Sequence, residues 1–472
     1  MVSRSTIVDG CVELGQLLAD HRHTCWPESA VVLLRIDQVS HNSRRDWGSY
    51  NTLMNASLSL TVTLVVALLA HVALKSWLNA RQVRHVSRHR AAVPAAYADT
   101  VSLADHHKAA DYTLAKAKLS QIDIALDAAV LLGWTLLGGL DALNQVLLDA
   151  MGPGMAQQIA LVLAFTLVGG LIGLPLSLVQ TFGVEQRFGF NKITPRLWLA
   201  DMAKGLVLGL VLGVPLLWLM LWLMQAGGSL WWLWAWAALV GWQLFLMAIA
   251  PNVIMPLFNK FTPLEDESLK ARVQALMQRA GFTAKGFFVM DGSRRSAHSN
   301  AFFTGFGASK RVVFFDTLLK QLSPSEMEAV LAHELGHFKH KHIVKMMATS
   351  FALTLAGLAL LGWLMQQVWF YTGLGVMPSL TGSNNALALV LFMLVTPVFS
   401  LFFAPVSSWR SRKQEFEADA YAVAQTLGQD LASALLKLYQ DNASTLTPDP
   451  LYVKFYYSHP PASERLARMQ AA

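Results

Sequence analysis

Long hydrophobic runs dominate the pattern of apolar and polar positions along this chain. Seven of them, at about 58–77, 122–148, 158–181, 206–224, 230–254, 347–370 and 386–406, are almost free of charge, and each reaches the roughly 20 residues a helix needs to cross a bilayer. A run that is apolar on every face predicts a helix surrounded by lipid or by other helices, not a surface helix. Two stretches depart from that pattern. Between 256 and 345 the periodicity shortens and predicts a helix at 265–280, strands at 286–290, 300–305 and 311–316, and a further helix after Ser323, together a small α+β unit. From 407 onward it predicts helices at 412–427 and 430–442, then a turn at Pro448 and Pro450. The expected fold class is an all-α polytopic membrane protein of about seven transmembrane helices with a small α+β insertion. Along the chain this gives an extension at 1–53, spans one to five within 54–256, the insertion at 257–345, spans six and seven within 346–410, and C-terminal helices at 411–472.

Composition agrees with the pattern. Of 472 residues, 54% are hydrophobic and 14% charged, too apolar for an ordinary soluble enzyme. The net charge of +7 and the 15 tryptophans fit basic loops on one side of a bilayer and aromatic anchors at its surfaces, and no nucleic-acid-binding motif occurs. The only two cysteines, Cys11 and Cys25, leave a metal to be held by histidines and carboxylates. Membrane lipids are the expected surroundings.

Charge also sets an expected topology. The loop after the first span carries Arg81, Arg84, Arg88, Arg90, Lys108, Lys116 and Lys118, and that after the third carries Arg187, Lys192, Arg196 and Lys204. The loops after the fifth and seventh are also basic, whereas the intervening ones are nearly uncharged. Cytoplasmic loops collect Lys and Arg, so the insertion is expected on the cytoplasmic side of a multi-pass membrane, the inner or plasma membrane if the source is bacterial, with the N-terminus outside. Residues 1–53 are polar, and Met54 opens the next segment like a natural start; the extension is expected either to be a loosely ordered tail or to reflect a start assigned too far upstream, and to be dispensable.

The richest stretch is Ser323 to His342. Ser323, Pro324 and Glu326 form an N-cap, a first-turn proline and a capping box, so a helix starts there. Ten residues on it reads His333-Glu334-Leu335-Gly336-His337. Histidines four apart share a helix face and could both hold one tetrahedral Zn2+, one per chain, with Glu334 as the base that takes a proton from water. A hydrolytic site needs a third ligand from elsewhere. After the last span, Glu415 and Asp419 lie four apart on a predicted helix. Glu415 could complete the metal site and Asp419 could accept the second ring N–H of a ligating histidine; alone, the pair would read as a solvated face beside Arg412 and Lys413.

These motifs, together with Tyr457-Ser458-His459-Pro460-Pro461 and Arg465-Leu466 and the earlier Phe188-Gly189-Phe190-Asn191-Lys192, Pro256-Leu257-Phe258-Asn259-Lys260 and Ser299-Asn300-Ala301-Phe302, resemble the integral-membrane zinc endopeptidase family typified by CAAX prenyl protease 1 and the yeast a-factor converting enzyme. The resemblance runs from about Met54 to the end. It implies that His333, His337 and Glu415 bind zinc, that Glu334 is the catalytic base, and that the spans enclose a large water-filled chamber with a zincin-like site at its cytoplasmic end. It assigns His459 as the donor to the oxyanion, which a rigid Ser-His-Pro-Pro turn could serve, although a surface-turn histidine would look the same. Arg465 could orient Asp419 or that turn. The strand at Asn300, Ala301 and Phe302 binds substrate by strand addition in the relatives, and an ordinary internal strand is the plain alternative. Expected partners are peptides or membrane-associated polypeptides, possible lipidated ones included by the resemblance. A quality-control membrane protease shares the metal motifs but is shorter; a transporter with structural zinc would have no use for Glu334. His340 and His342 read as interfacial residues at a helix end, and His71, Asp201 and Lys204 as span-end or chamber-lining groups.

Overall fold

The computed structural model of the chain describes residues 43–304, 309–379 and 382–470. The expectations for the first 42 residues lie outside these, as does the end of the strand expected at 300–305. Residues from Ser57 onward form one unit and Met1–Ala56 another.

Among the described residues, six helical stretches are each long and apolar enough to span a membrane: Asn51–Arg88, Met155–Glu185, Pro195–Ala226, Gly228–Phe258, His342–Leu364 and Asn385–Gln425. The second expected span is not one straight helix. It is a pair, α2 (Leu103–Trp134) and α3 (Gly139–Met151), bent by 49°, and counting it as one span gives seven. The break falls where Gly138 takes a left-handed conformation at φ 78°, which glycine adopts without the steric cost other residues meet. Around it run α1 (Ser43–Arg88), α4 (Met155–Leu178), α5 (Pro195–Ala226) and α6 (Trp231–Ile249). Leu64, Leu140, Leu161 and Leu221 meet in their shared core.

The insertion folds as β1 (Phe261–Pro263), α7 (Glu267–Ala280), β2 (Thr283–Met290), β3 (Ala301–Thr304), β4 (Ser309–Phe315) and α8 (Pro324–Lys339). Helix α7 starts two residues later than expected because Asp266 serves as its N-cap, accepting from the Leu269 amide at 2.9 Å. Its Leu269, Val273, Leu276 and Met277 are fully buried, each contributing roughly 1.5–3 kcal/mol by leaving water. The sheet has the order β1-β2-β4-β3, with β2 parallel to β4 and β3 antiparallel to it. Strand β1 was not predicted, being only three residues of one hydrophobic repeat. Strand β3 stands at an edge.

The sixth span is α9 (His342–Leu364), and the seventh begins as α10 (Asn385–Ser400). The run expected to end at 406 instead tightens into a 3-10 turn at Leu401–Phe403 and restarts as α11 (Ala404–Gln425). Pro405 has no N–H for the carbonyl four residues back and crowds it, so regular helix cannot run through. Helix α11 therefore carries Glu415 as a direct continuation from the membrane region. After it come α12 (Gly428–Asp441), α13 (Pro450–Tyr456) and α14 (Ala462–Gln470).

Two anchors hold the insertion in place. Glu326, the capping-box carboxylate of α8, accepts from Ser433 Oγ at 2.6 Å and Lys437 Nζ at 2.7 Å on α12 as well as from the Ser323 amide. Burial pushes its pKa up, but these donors prevail and hold it down at about 2. Asp201 on α5 takes two hydrogen bonds from Arg295, at 2.8 and 3.0 Å, and the same guanidinium donates to Asn259. The expected span-end carboxylate is thus a clamp on the loop before β3. That loop also meets the Phe190 turn, through Ala297 N to Phe190 O at 3.0 Å.

Candidate active site

The capping box forecast for α8 is present, with Ser323 and Glu326 bonded reciprocally. The helix that follows sets His333 and His337 one turn apart, their Nε2 atoms 3.2 Å from each other. Glu415 of α11 closes the triangle, Oε2 at 3.4 Å from His333 Nε2 and Oε1 at 3.3 Å from His337 Nε2. A tetrahedral ion with bonds of about 2.0–2.1 Å has donor–donor edges of about 3.3–3.4 Å. Each of these separations is close to such an edge, those to Glu415 ending on its two oxygens, and among the described residues these three form the one such group of His, Cys, Asp and Glu. Glu415 Oε2 is buried without a hydrogen-bond partner among the described residues, a costly state for a carboxylate that a cation would relieve. The residues fit a metal.

Close approach of two helices makes the triangle possible. A Cβ at Gly336 would stand 2.9 Å from the Ala418 Cα and 3.1 Å from its carbonyl oxygen, backbone atoms that cannot swing aside. Alanine is the better helix former by about 1 kcal/mol, so on an isolated helix Gly336→Ala would stabilise. Here it is expected to push α11 away from α8, costing about 1–3 kcal/mol and carrying Glu415 off the histidines. Thermal melting and metal content of the purified variant check this; an unchanged metal content with a raised melting temperature would show the contact to be slack.

Behind the triangle lies a supporting row. Asp419, one turn after Glu415, stands 2.8 Å from His333 Nδ1 and is clamped by Arg465, whose Nε and Nη2 donate at 2.8 and 2.5 Å. Asp419 and Arg465 are both 5% exposed, so the pair is desolvated and strong. With Asp419 accepting from Nδ1–H, Nε2 is the His333 nitrogen that faces the triangle. Burial lowers the His333 pKa, yet Asp419 and Glu415 outweigh it and raise it to about 9. The local field favours positive charge beside that imidazole.

Glu334 follows His333 on the helix, half-buried, and the 100° step per residue leaves it on the histidine side of α8. His459 sits at the rim with its side chain 62% exposed, Nε2 3.4 Å from Glu415 Oε1. Its Nδ1 is 2.9 Å from Ser458 Oγ; when that hydroxyl donates, Nε2–H points toward the triangle. His459 and Arg465 stand in the wall of a cavity of about 850 Å³ shared with Tyr112, Lys116, Tyr439 and Tyr457. The strand β3 lies along α8, Phe303 meeting Phe338 edge-on at 5.8 Å. Asn300 is exposed, Ala301 buried and Phe302 half-buried.

The structure places His342 differently from its expected interfacial position. It is 3% exposed, because Lys341 takes a left-handed φ of 57° and folds the chain back so that α9 starts beneath α8. His342 Nδ1 lies 2.9 Å from His337 Nδ1, and its Nε2 lies 2.9 Å from Glu417 Oε2. His340, stacked on it at 5.5 Å, stays exposed. Glu417 was missed altogether; its one sequence signal is its place two residues after Glu415.

Comparison with known proteins agrees with this geometry. Residues 82–260 match the family model described as the CAAX prenyl protease N-terminal region with five membrane helices, and residues 263–472 match peptidase family M48. CAAX prenyl protease 1 of Saccharomyces cerevisiae is 36% identical over 425 residues, 85% of this chain and 93% of that one. The CAAX prenyl protease 1 homolog of Homo sapiens is 32% identical, covering 63% of this chain and 70% of its own. The crystal structure of S. mikatae Ste24p superimposes with a TM-score of 0.81 at 33% identity, covering 87% of this chain and 99% of that one. With six or seven spans among its described residues, a histidine–glutamate triangle where its α+β insertion meets α11 and homology along nearly its whole length, the chain belongs to peptidase family M48, among the integral-membrane metallopeptidases typified by CAAX prenyl protease 1.

Proposed function

We propose that the chain is a zinc endopeptidase that cuts polypeptides ending in a prenylated CAAX segment, at the cytoplasmic face of its membrane. The observation that carries the reading is the convergence of His333, His337 and Glu415, with Glu334 beside His333 on the histidines' helix. The names of the relatives supply the substrate class.

His333 and His337 would hold Zn2+ through Nε2 and Glu415 through a carboxylate oxygen, with Asp419 and Arg465 fixing the first imidazole. A zinc ion held there would supply a Lewis acid able to polarise the scissile carbonyl and acidify water. Glu334 takes a proton from that water and returns it to the leaving amine, so one carboxyl serves both transfers. His459 donates from Nε2 to the oxygen that becomes negative; its exposure at the cavity rim leaves it free to reach a bound peptide. Substrate backbone adds along Asn300 and the open edge of β3 at Ala301 and Phe302, where main-chain bonds give affinity with little regard for side chains. The edge position of β3 in the sheet supports that assignment over an internal strand.

The orientation rests on the basic loops. Reporter fusions after Met151, Ser229 and Ser379 are expected to report the outer side; a cytoplasmic signal at any of them overturns the arrangement. The activity is tested with detergent-purified protein on a farnesylated CAAX peptide and its unprenylated counterpart. Chelator-sensitive cleavage restored by zinc, faster on the prenylated peptide, is the expected result. Cleavage indifferent to chelation, or none of either peptide, would remove the reading.

A further inference from the structure

The family reading accounts for the support of one metal-binding imidazole, His333, through Asp419 and Arg465. It leaves His337 without a carboxylate partner of its own, and it gives no role to the buried His342 or to Glu417. Their distances form an unbroken chain: His337 Nδ1 to His342 Nδ1 at 2.9 Å, His342 Nε2 to Glu417 Oε2 at 2.9 Å.

A proton inventory fixes the direction of that chain. His337 Nε2 faces the triangle, 3.3 Å from Glu415 Oε1, so as a metal ligand it must be bare and the ring's proton must sit on Nδ1. Among the described residues that N–H has one acceptor at hydrogen-bond distance, the Nδ1 of His342, which must therefore be unprotonated. The single proton of neutral His342 is then on Nε2, where it donates to Glu417. We infer that His342 and Glu417 are positioning residues for the metal: a two-member relay that fixes the tautomer and ring angle of His337 as Asp419 does for His333, with the negative end one imidazole further away. The inference rests on His337 being a ligand, as the proposed function has it.

The fold explains the extra member. The clamp on His333 comes from the next turn of α11, where Asp419 reaches the ring directly. Glu417 lies on another face of α11, half a turn from Glu415, and the gap between it and His337 is filled by the ring that the left-handed Lys341 turn inserts. Packing alone would be served by any side chain of that size; the chain of hydrogen bonds needs an acceptor facing His337 and a donor facing Glu417.

The test is zinc release from detergent-purified full-length protein into a chromophoric chelator, read beside peptide cleavage and the melting temperature of the metal-free form. His342→Leu is expected to release zinc about 10- to 100-fold faster, the usual cost of removing such a partner, with KM unchanged. His342→Asn puts an amide oxygen near the former Nδ1 and should bring the rate back to within a few-fold of wild type. Glu417→Leu should speed release about 3- to 10-fold and Glu417→Gln less, since the Gln oxygen still accepts from Nε2; this pair reads the relay even if His342→Leu fails to fold. Wild-type release in both His342→Leu and Glu417→Leu, or equal loss in His342→Leu and His342→Asn, would overturn the inference. A wild-type chain that takes up no zinc would instead sink the ligand assignment beneath it.

Discussion

Glu334→Gln should yield a protein that keeps its metal, binds its peptide and scarcely turns over. Glu334 is not one of the three residues whose donor atoms converge, so the amide replacement leaves the triangle and its support intact and nearly isosteric. What it removes is the carboxylate that accepts a proton. General bases typically contribute about 10²- to 10⁴-fold, and the fall should reach the upper end or pass it here, because the same group also has to protonate the leaving amine. The measurement is cleavage of a quenched fluorescent peptide beside elemental analysis: about one zinc per chain with a rate down by about 10⁴-fold is expected. Normal cleavage by this variant would end the hydrolytic reading itself.

Glu415→Ala is expected to fail in the opposite way, by losing the metal. The triangle has 3.3–3.4 Å sides to both histidines only through Glu415, and its removal leaves two imidazoles and no third protein donor in that group. Asp419 does not substitute, since its carboxylate is held at 2.5 and 2.8 Å by Arg465 and faces the far nitrogen of His333. Metal affinity should fall by more than about 100-fold, beyond the 10- to 100-fold that losing a supporting residue brings. Asp419→Asn, which can still accept from Nδ1–H, belongs in that smaller range. Elemental analysis after dialysis against a weak chelator separates the two. Stoichiometric zinc and wild-type activity in Glu415→Ala would show the third ligand to be misassigned.

Much of this site can be read from the chain because its chemistry follows helical spacing. Four-residue intervals place His333 above His337 and Glu415 above Asp419 wherever those helices go, and the Ser323–Glu326 capping box starts α8 from local backbone needs alone. The spans are equally local: a run of 20 apolar residues has few alternatives in lipid. His342 shows the limit. Its spacing from His337, five residues, belongs to no helical face, and the hydrogen bond between them exists because the helix does not continue.

What the sequence determined by itself, then, is whatever depends on neighbours within a turn or two: the apolar spans, the start of α8, the shared face of the two histidines on it. Tertiary structure decided the rest. Hydrophobicity could not show the bend at Gly138 or the break at Leu401–Phe403, since the apolar run itself passes through both. It could not put β3 at the edge of the sheet, because its own alternation is the same at an edge or in the middle. Nor could it bring Arg465 to a histidine 132 residues earlier. That meeting requires α8 and α11 to touch at backbone distance over Gly336 and Ala418, and only a packed interface holds two helices at that separation.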